Sequence, residues 1–229
     1  MTRVLLALVL CAPVLALAQE AAPASSGKDA LVQGDATAGA TKAAACFACH
    51  GPGGNGAINP QWPKLAGQHS AYILEQLGEF TCTTDKCVAR KNPVMFAQAM
   101  GLPNHEQDMR DLAAFFASQK PVPGVASPDS VAVAQSIYRA GDSARGLPAC
   151  AGCHGPTGAG NGAAQFPRIG GQNSGYSANQ LHAYASCAAS ELKNCDRGGA
   201  GKGLMMSAIA AKLKENEIQA LASYVSGLQ

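Results

Sequence analysis

Cys46-Phe47-Ala48-Cys49-His50 and Cys150-Ala151-Gly152-Cys153-His154 are two copies of one pattern in a chain of 229 residues. Cys-x-x-Cys-His is the attachment signal for c-type haem: the thiols bond to the porphyrin vinyl groups and the adjacent imidazole binds the iron. One copy would also suit zinc or a redox dithiol. Two copies, each opening a longer shared pattern, select haem.

That longer pattern is a duplication. A shift of 104 positions lays residues 46–80 over 150–184 without a gap, and 15 of the 35 positions are identical. Gly51-Pro52 falls on Gly155-Pro156, Pro63 on Pro167, Gly67-Gln68 on Gly171-Gln172, Tyr72 on Tyr176 and Gln76-Leu77 on Gln180-Leu181. The period is too long and the copies too few for a solenoid. Two tandem domains are expected, residues 34–120 and 130–229, joined by a linker at 121–129 that carries Pro121, Pro123, Gly124 and Pro128.

The chain opens with an export signal. Arg3 supplies the positive start, Val4 to Leu17 is almost wholly apolar, and Ala16-Leu17-Ala18 offers a cleavage site near Ala18. An apolar run of about 14 residues falls short of the ~20 that span a bilayer. Residues 19–33, rich in Ala, Ser and Gly, read as a flexible lead.

About 200 residues remain for two domains, tight for two independent cores. Aromatic residues are only 5% of the chain, so a porphyrin in each domain would supply the missing apolar body. Charge gives no nucleic-acid signal: without Arg3, 16 basic residues face 15 acidic ones, with no dense basic cluster. Of nine cysteines, Cys11 leaves with the signal and four belong to the haem motifs. Cys82, Cys87, Cys187 and Cys195 remain, and an even remainder in an exported chain points to disulfides. Three connectivities are open; the repeat favours Cys82–Cys87 and Cys187–Cys195.

Each half reads as all-α with long loops. Short helices are expected near 35–46 and 129–140, and others beginning near Tyr72 and Tyr176. Met109, Leu112, Ala113 and Phe116 lie at i, i+3, i+4 and i+7, as do Ile218, Leu221, Ala222 and Val225, marking the final helix of each half. Asn104 and Gln107 suggest a cap for the first of these.

A second iron ligand separates electron carrier from enzyme, because an open position admits substrate. Met95 lies seven residues before Leu102, and Met206 seven before Leu213, which places the two in register. Met100 and Met205 are the alternatives; Met109 belongs to an apolar stripe. His69, His105 and His182 have no histidine counterpart in the other half and read as surface or local hydrogen-bonding residues. Pro63 and Pro167, 13 residues after their histidines, could accept the proximal imidazole N–H or be plain loop prolines. Tyr72, Tyr176, Trp62, Lys64 and Arg168 could touch haem carboxylates or simply pack. No repeated acid, base or nucleophile stands apart from the haem ligands, so no catalytic residue is expected.

With both motifs, the Pro-x-Leu/Ile-x-Gly-Gln runs, the paired methionines and Asp111 to Lys120, the chain resembles the dihaem cytochrome c4 family. The resemblance implies two class I cytochrome c folds related by a pseudo-twofold axis. It implies two covalent haem c groups: Cys46, Cys49, His50 and Met95 for the first, Cys150, Cys153, His154 and Met206 for the second. It also implies periplasmic one-electron transfer among redox proteins, from a donor such as a quinol–cytochrome c reductase to an acceptor such as a terminal oxidase, with peripheral membrane contact left open. The extra cysteine pairs depart from that family's usual pattern. Two other readings stay open: an electron-accepting dihaem subunit of a dehydrogenase such as flavocytochrome c sulfide dehydrogenase, and catalysis at one haem, as in a dihaem peroxidase.

Overall fold

The computed structural model describes residues 28–29, 31–56, 59–83, 90–192, 195–197 and 201–229. The expected signal at 1–18, Cys11 and Cys87 lie outside the described residues. Apart from one antiparallel pair of two-residue strands, β1 (Lys28–Asp29) and β2 (Gly34–Asp35), and two short 3-10 turns, the described regular structure is helical. None of the described helices is long and apolar enough to cross a membrane.

The first half holds α1 (Ala36–Lys42), α2 (Ala44–His50), α3 (Ser70–Thr81), α4 (Pro93–Met100) and α5 (His105–Ser118). The second holds α6 (Pro128–Ala140), α7 (Ala151–His154), α8 (Ser174–Ala189), α9 (Gly201–Ala210) and α10 (Glu215–Ser226). Local chemistry sets several of these boundaries. Asp35 caps α1 by accepting from the Thr37 and Ala38 N–H groups at 2.8 and 3.2 Å. Asn92 caps α4 by accepting from Met95 N–H at 2.9 Å, with Pro93 in the first turn where its missing N–H costs nothing.

The cap expected from Asn104 and Gln107 takes another form. The side chain of Asp108 reaches back to Asn104 N–H at 3.0 Å, while Gln107 donates to Asp111 at 2.8 Å. A carboxylate is the stronger acceptor and favours the positive end of the helix dipole.

The predicted apolar stripes of α5 and α10 are both buried. In the first half, Ile73, Leu112, Ala113, Phe115 and Phe116 form a core on which Cys46, Phe47, Leu65 and Leu77 pack. Val32 joins that core, so packing begins inside the segment read from composition as a flexible lead. In the second half, Ala134, Ile137, Tyr138, Leu147, Leu221, Tyr224 and Val225 form the core, with Cys150, Ile169 and Leu181 against it. Cys187 and Cys195 form one disulfide. Cys82 is also disulfide-bonded, and its expected partner Cys87 is outside the described residues.

The halves meet through a reciprocal amide clamp. Gln68 accepts from Arg168 N–H at 2.9 Å and donates to Arg168 O at 2.8 Å. Gln172 accepts from Lys64 N–H at 2.7 Å and donates to Lys64 O at 2.9 Å. Gln68 and Gln172 are repeat partners, as are Lys64 and Arg168, so the seam has the symmetry of the duplication.

Candidate haem sites

Cys46, Cys49 and His50 stand at i, i+3 and i+4 on α2, so both thiols and the imidazole share one helix face. The helix must stop at the histidine for the loop to pass beneath it. Gly51 makes that stop with φ +75°, and a Cβ there would fall 1.9 Å from Gly56 O. Gly155, with φ +77°, ends α7 after His154 in the same way.

Both imidazoles are buried, each 7% exposed. The Nδ1–H of His50 donates to Pro63 O at 2.8 Å, and that of His154 to Pro167 O at 3.0 Å. A carbonyl can only accept, so Nδ1 keeps its proton and the Nε2 lone pair is the one available to iron. Burial pulls the pKa of both histidines down, against the opposing pull of the proline carbonyls. Both are therefore held in the neutral form that binds metal.

The loop that delivers each carbonyl is pinned twice. Leu65 and Ala66 donate backbone N–H groups to Gly54 O, and Ile169 and Gly170 do the same to Gly158 O. Gly67 N–H then reaches Phe116 O on α5 and Gly171 N–H reaches Val225 O on α10, both at 2.9 Å. Histidine orientation thus depends on the final helix of each half.

The donors fit a haem at each site. Cys46, Cys49, Cys150 and Cys153 are free thiols in a chain whose Cys187–Cys195 pair is closed. Burial pushes the Cys46 thiol up and that of Cys150 to about 11, so neither rests as a thiolate at neutral pH. Two free thiols and a neutral imidazole of fixed tautomer lie beside an apolar core.

Met95 lies in the first turn of α4 and Met206 in α9, both half-buried. Met100 is 49% and Met205 46% exposed. Met109 is core, as its stripe position implied. His69 Nε2 lies 3.0 Å from Ala159 O across the seam, and His182 pairs with Glu215 at 3.4 Å on the surface. His105 departs from expectation: its Nε2 is buried without a hydrogen-bond partner among the described residues. Trp62 is exposed, and Lys64 Nζ donates to Val122 O at 2.7 Å.

Sequence reasoning passed over Arg90 and Arg197, which gather Tyr72, Tyr176, Gln76 and Gln180 into one partly buried cluster. A signal was there: those tyrosines and glutamines are identical in both halves, which packing alone does not demand.

The Cytochrome c family model matches residues 36–120 and again 135–229. Cytochrome c4 of Azotobacter vinelandii is 42% identical over 197 residues, covering 85% of this chain and 90% of that protein. The crystal structure of reduced recombinant cytochrome c4 from Pseudomonas stutzeri superimposes with a TM-score of 0.76 at 40% identity, covering 86% of this chain and 100% of that one. The thiosulfate dehydrogenase electron acceptor of Stutzerimonas stutzeri (strain A1501) is more distant, 32% identical over 216 residues, with 90% of this chain and 88% of that protein covered. Two tandem domains with a thiol pair and an oriented histidine each, and likeness to cytochrome c4 over most of the chain, lead to one assignment: this chain belongs to the cytochrome c4 family of electron-transfer cytochromes, with two covalently bound haem c groups.

Proposed function

We propose that this protein carries single electrons between redox proteins of the periplasm, with His50 and Met95 on the first haem iron and His154 and Met206 on the second. The observation that carries the reading is the repeated donor set. Each half holds a buried, carbonyl-oriented imidazole and has a half-buried methionine seven residues before Leu102 or Leu213, while Met100 and Met205 turn about half their surface to solvent. Bound haem supplies reversible one-electron exchange at iron. The protein orients the proximal imidazole through Pro63 and Pro167, keeps it neutral by burial, and offers a neutral thioether that favours ferrous iron and closes the sixth position to substrate.

Periplasmic placement is supported by the signal pattern at Met1 to Ala18 and by the closed Cys187–Cys195 pair, since disulfides persist in oxidising compartments. A respiratory donor such as a quinol–cytochrome c reductase and an acceptor such as a terminal oxidase fit a carrier that is not itself an enzyme. The likeness to the thiosulfate dehydrogenase electron acceptor favours a second reading, in which a dehydrogenase is the donor. Rapid reduction by a thiosulfate dehydrogenase, faster than by a quinol-oxidising complex, would select it.

Redox-resolved absorption spectra of wild type, Met95→Ala and Met206→Ala test the ligands. Each substitution is expected to remove one thioether–ferric iron band and to lower one of the two potentials. Loss of the band in Met100→Ala or Met205→Ala instead would overturn the assignment, and ready carbon monoxide binding by the reduced wild type would overturn the closed sixth position.

A further inference from the structure

The carbonyl that orients each haem histidine belongs to a peptide unit whose other end is held by the opposite domain. Pro63 O accepts from His50 Nδ1–H at 2.8 Å, and the N–H of the same unit, on Lys64, donates to Gln172 Oε1 at 2.7 Å. In the second domain, Pro167 O accepts from His154 Nδ1–H at 3.0 Å, and Arg168 N–H donates to Gln68 Oε1 at 2.9 Å. Two hydrogen bonds in series, through one amide, therefore lead from each imidazole to a glutamine of the other half.

The orientation of both carboxamides is fixed. A backbone N–H can only donate, so the group that faces Lys64 N–H and Arg168 N–H is the oxygen. Each oxygen also accepts the N–H that leads into its own helix, His69 N–H at 3.0 Å for Gln68 and Asn173 N–H at 2.9 Å for Gln172. Each Nε2 donates to the carbonyl of the gripped residue, Arg168 O at 2.8 Å and Lys64 O at 2.9 Å. Gln68 is 8% exposed and Gln172 half-buried, and polarisation along hydrogen bonds counts for more where water is held off.

Clamping alone needs less than this. Two glutamines could staple the halves through any loop amide, yet both take the one whose carbonyl orients the imidazole. The consequence is electronic as well as mechanical. An amide whose N–H is donating becomes a better acceptor at its oxygen, because successive hydrogen bonds polarise one another. A better acceptor at Pro63 O draws on the Nδ1 proton of His50 and leaves more electron density on Nε2, which favours ferric iron. We propose that Gln172 is a positioning residue that lowers the potential of the first haem, and Gln68 one that lowers the potential of the second. Each acts across the seam through the peptide unit that follows the orienting proline. This rests on the presence of both haems.

The test uses the mature full-length protein and its Gln172→Met and Gln68→Met variants, which keep the length of the side chain and remove its amide. Haem count and the methionine–iron band are recorded first, so that failure of the two-haem reading is visible by itself. Potentials are then measured for each haem, told apart by contact-shifted NMR resonances. Gln172→Met is expected to shift the first haem's redox equilibrium about twofold toward ferrous iron, the fraction of one hydrogen bond that a neighbour's polarisation supplies. The second haem should respond much less, and Gln68→Met should do the reverse. The histidine Nδ1–H beside the responding haem should exchange with deuterium faster than in wild type. Unchanged potentials and exchange in two-haem protein, with only thermal stability lost, would mean that the glutamines merely staple the domains and would overturn the proposal. A change confined to the haem of the substituted domain would overturn it too. Should the methionine variants fail to mature, Gln172→Glu and Gln68→Glu keep an oxygen for the amide N–H and strengthen it with charge. The opposite haem should then shift toward ferric iron and its histidine Nδ1–H exchange more slowly, and an unaltered exchange rate would again overturn it.

Discussion

The two domains reach the same histidine geometry over different internal supports. In the first, α1 lies almost against α5: a Cβ at Gly39 would fall 2.1 Å from Asp111 O. Lys42 at the end of α1 then neutralises Asp108 at 2.7 Å and Asp111 beside it, and Phe47, Phe115 and Phe116 pack edge to face behind the haem motif. In the second, a buried tyrosine fills the space between α6 and α10. Tyr138 packs on Tyr224 with ring centroids 5.4 Å apart and donates to Gly155 O at 2.6 Å. There Arg145 takes the part of Lys42, gripping Glu217 with two bonds at 2.8 and 2.9 Å and Asp142 at 2.7 Å. Asp108 and Glu217 each also accept the backbone N–H that opens the final helix. What the duplication preserved is the loop from histidine to glutamine. The scaffold behind it was free to change, because many packings can hold one helix end in place.

The largest effect that would break this comparison comes from the thiols. Cys46→Ser with Cys49→Ser, and Cys150→Ser with Cys153→Ser, should each lower the haem-to-polypeptide ratio from two to one, read by absorbance and intact mass. If both haems disappear with either pair, the domains do not mature separately.

Next is Gly39→Val, which drives a side chain into the α5 backbone. Destabilisation of about 3 kcal/mol, the upper end for overpacking, is expected in thermal unfolding, with the first haem's signals lost earlier than the second's. Simultaneous loss would show that the seam couples the two cores more strongly than either holds itself. Tyr138→Phe should cost ~1 kcal/mol, that of one hydrogen bond, and act first on the second domain.

The smallest effect concerns acid. Hydrogen bonds from Lys42 hold Asp108 below the usual carboxylate range, and those from Arg145 do so for Glu217 and Asp142. At Asp111 burial opposes the charge, but Lys42, Asp35 N–H and Gln107 outweigh it. A depressed folded-state pKa gives stability that is fully present above the ordinary carboxylate range and is lost as pH falls through the depressed values. The melting temperature should therefore fall steadily below about pH 4, and Lys42→Met or Arg145→Met should flatten that dependence for one domain only. A slope unchanged in both variants would show that these pairs contribute nothing to it.

Much of this was legible along the chain. The stripe of Met109, Leu112, Ala113 and Phe116 marked the buried face of α5; the proline 13 residues past each histidine left two readings open, and the structure selects the one in which its carbonyl orients the imidazole. Asp108 displaced Gln107 as the cap because a nearby carboxylate outcompetes an amide, a contest that spacing does not reveal. Val32 was misread for a similar reason: composition describes a segment's average and does not show which side chain reaches the core.

By itself the sequence determined the covalent chemistry, the duplication and the apolar face of each final helix. The first and last are set by neighbours within a few residues, where the geometry of a helical turn is fixed in advance, and the duplication by direct comparison of the two halves. Only the tertiary structure decided that Gln68 and Gln172 clamp each other's strands of loop, that Lys42 and Arg145 play equivalent parts, and that Arg90 and Arg197 cross the seam. Partners separated by 66 to 125 positions are brought together by packing, and periodicity says which face is buried but not what it meets.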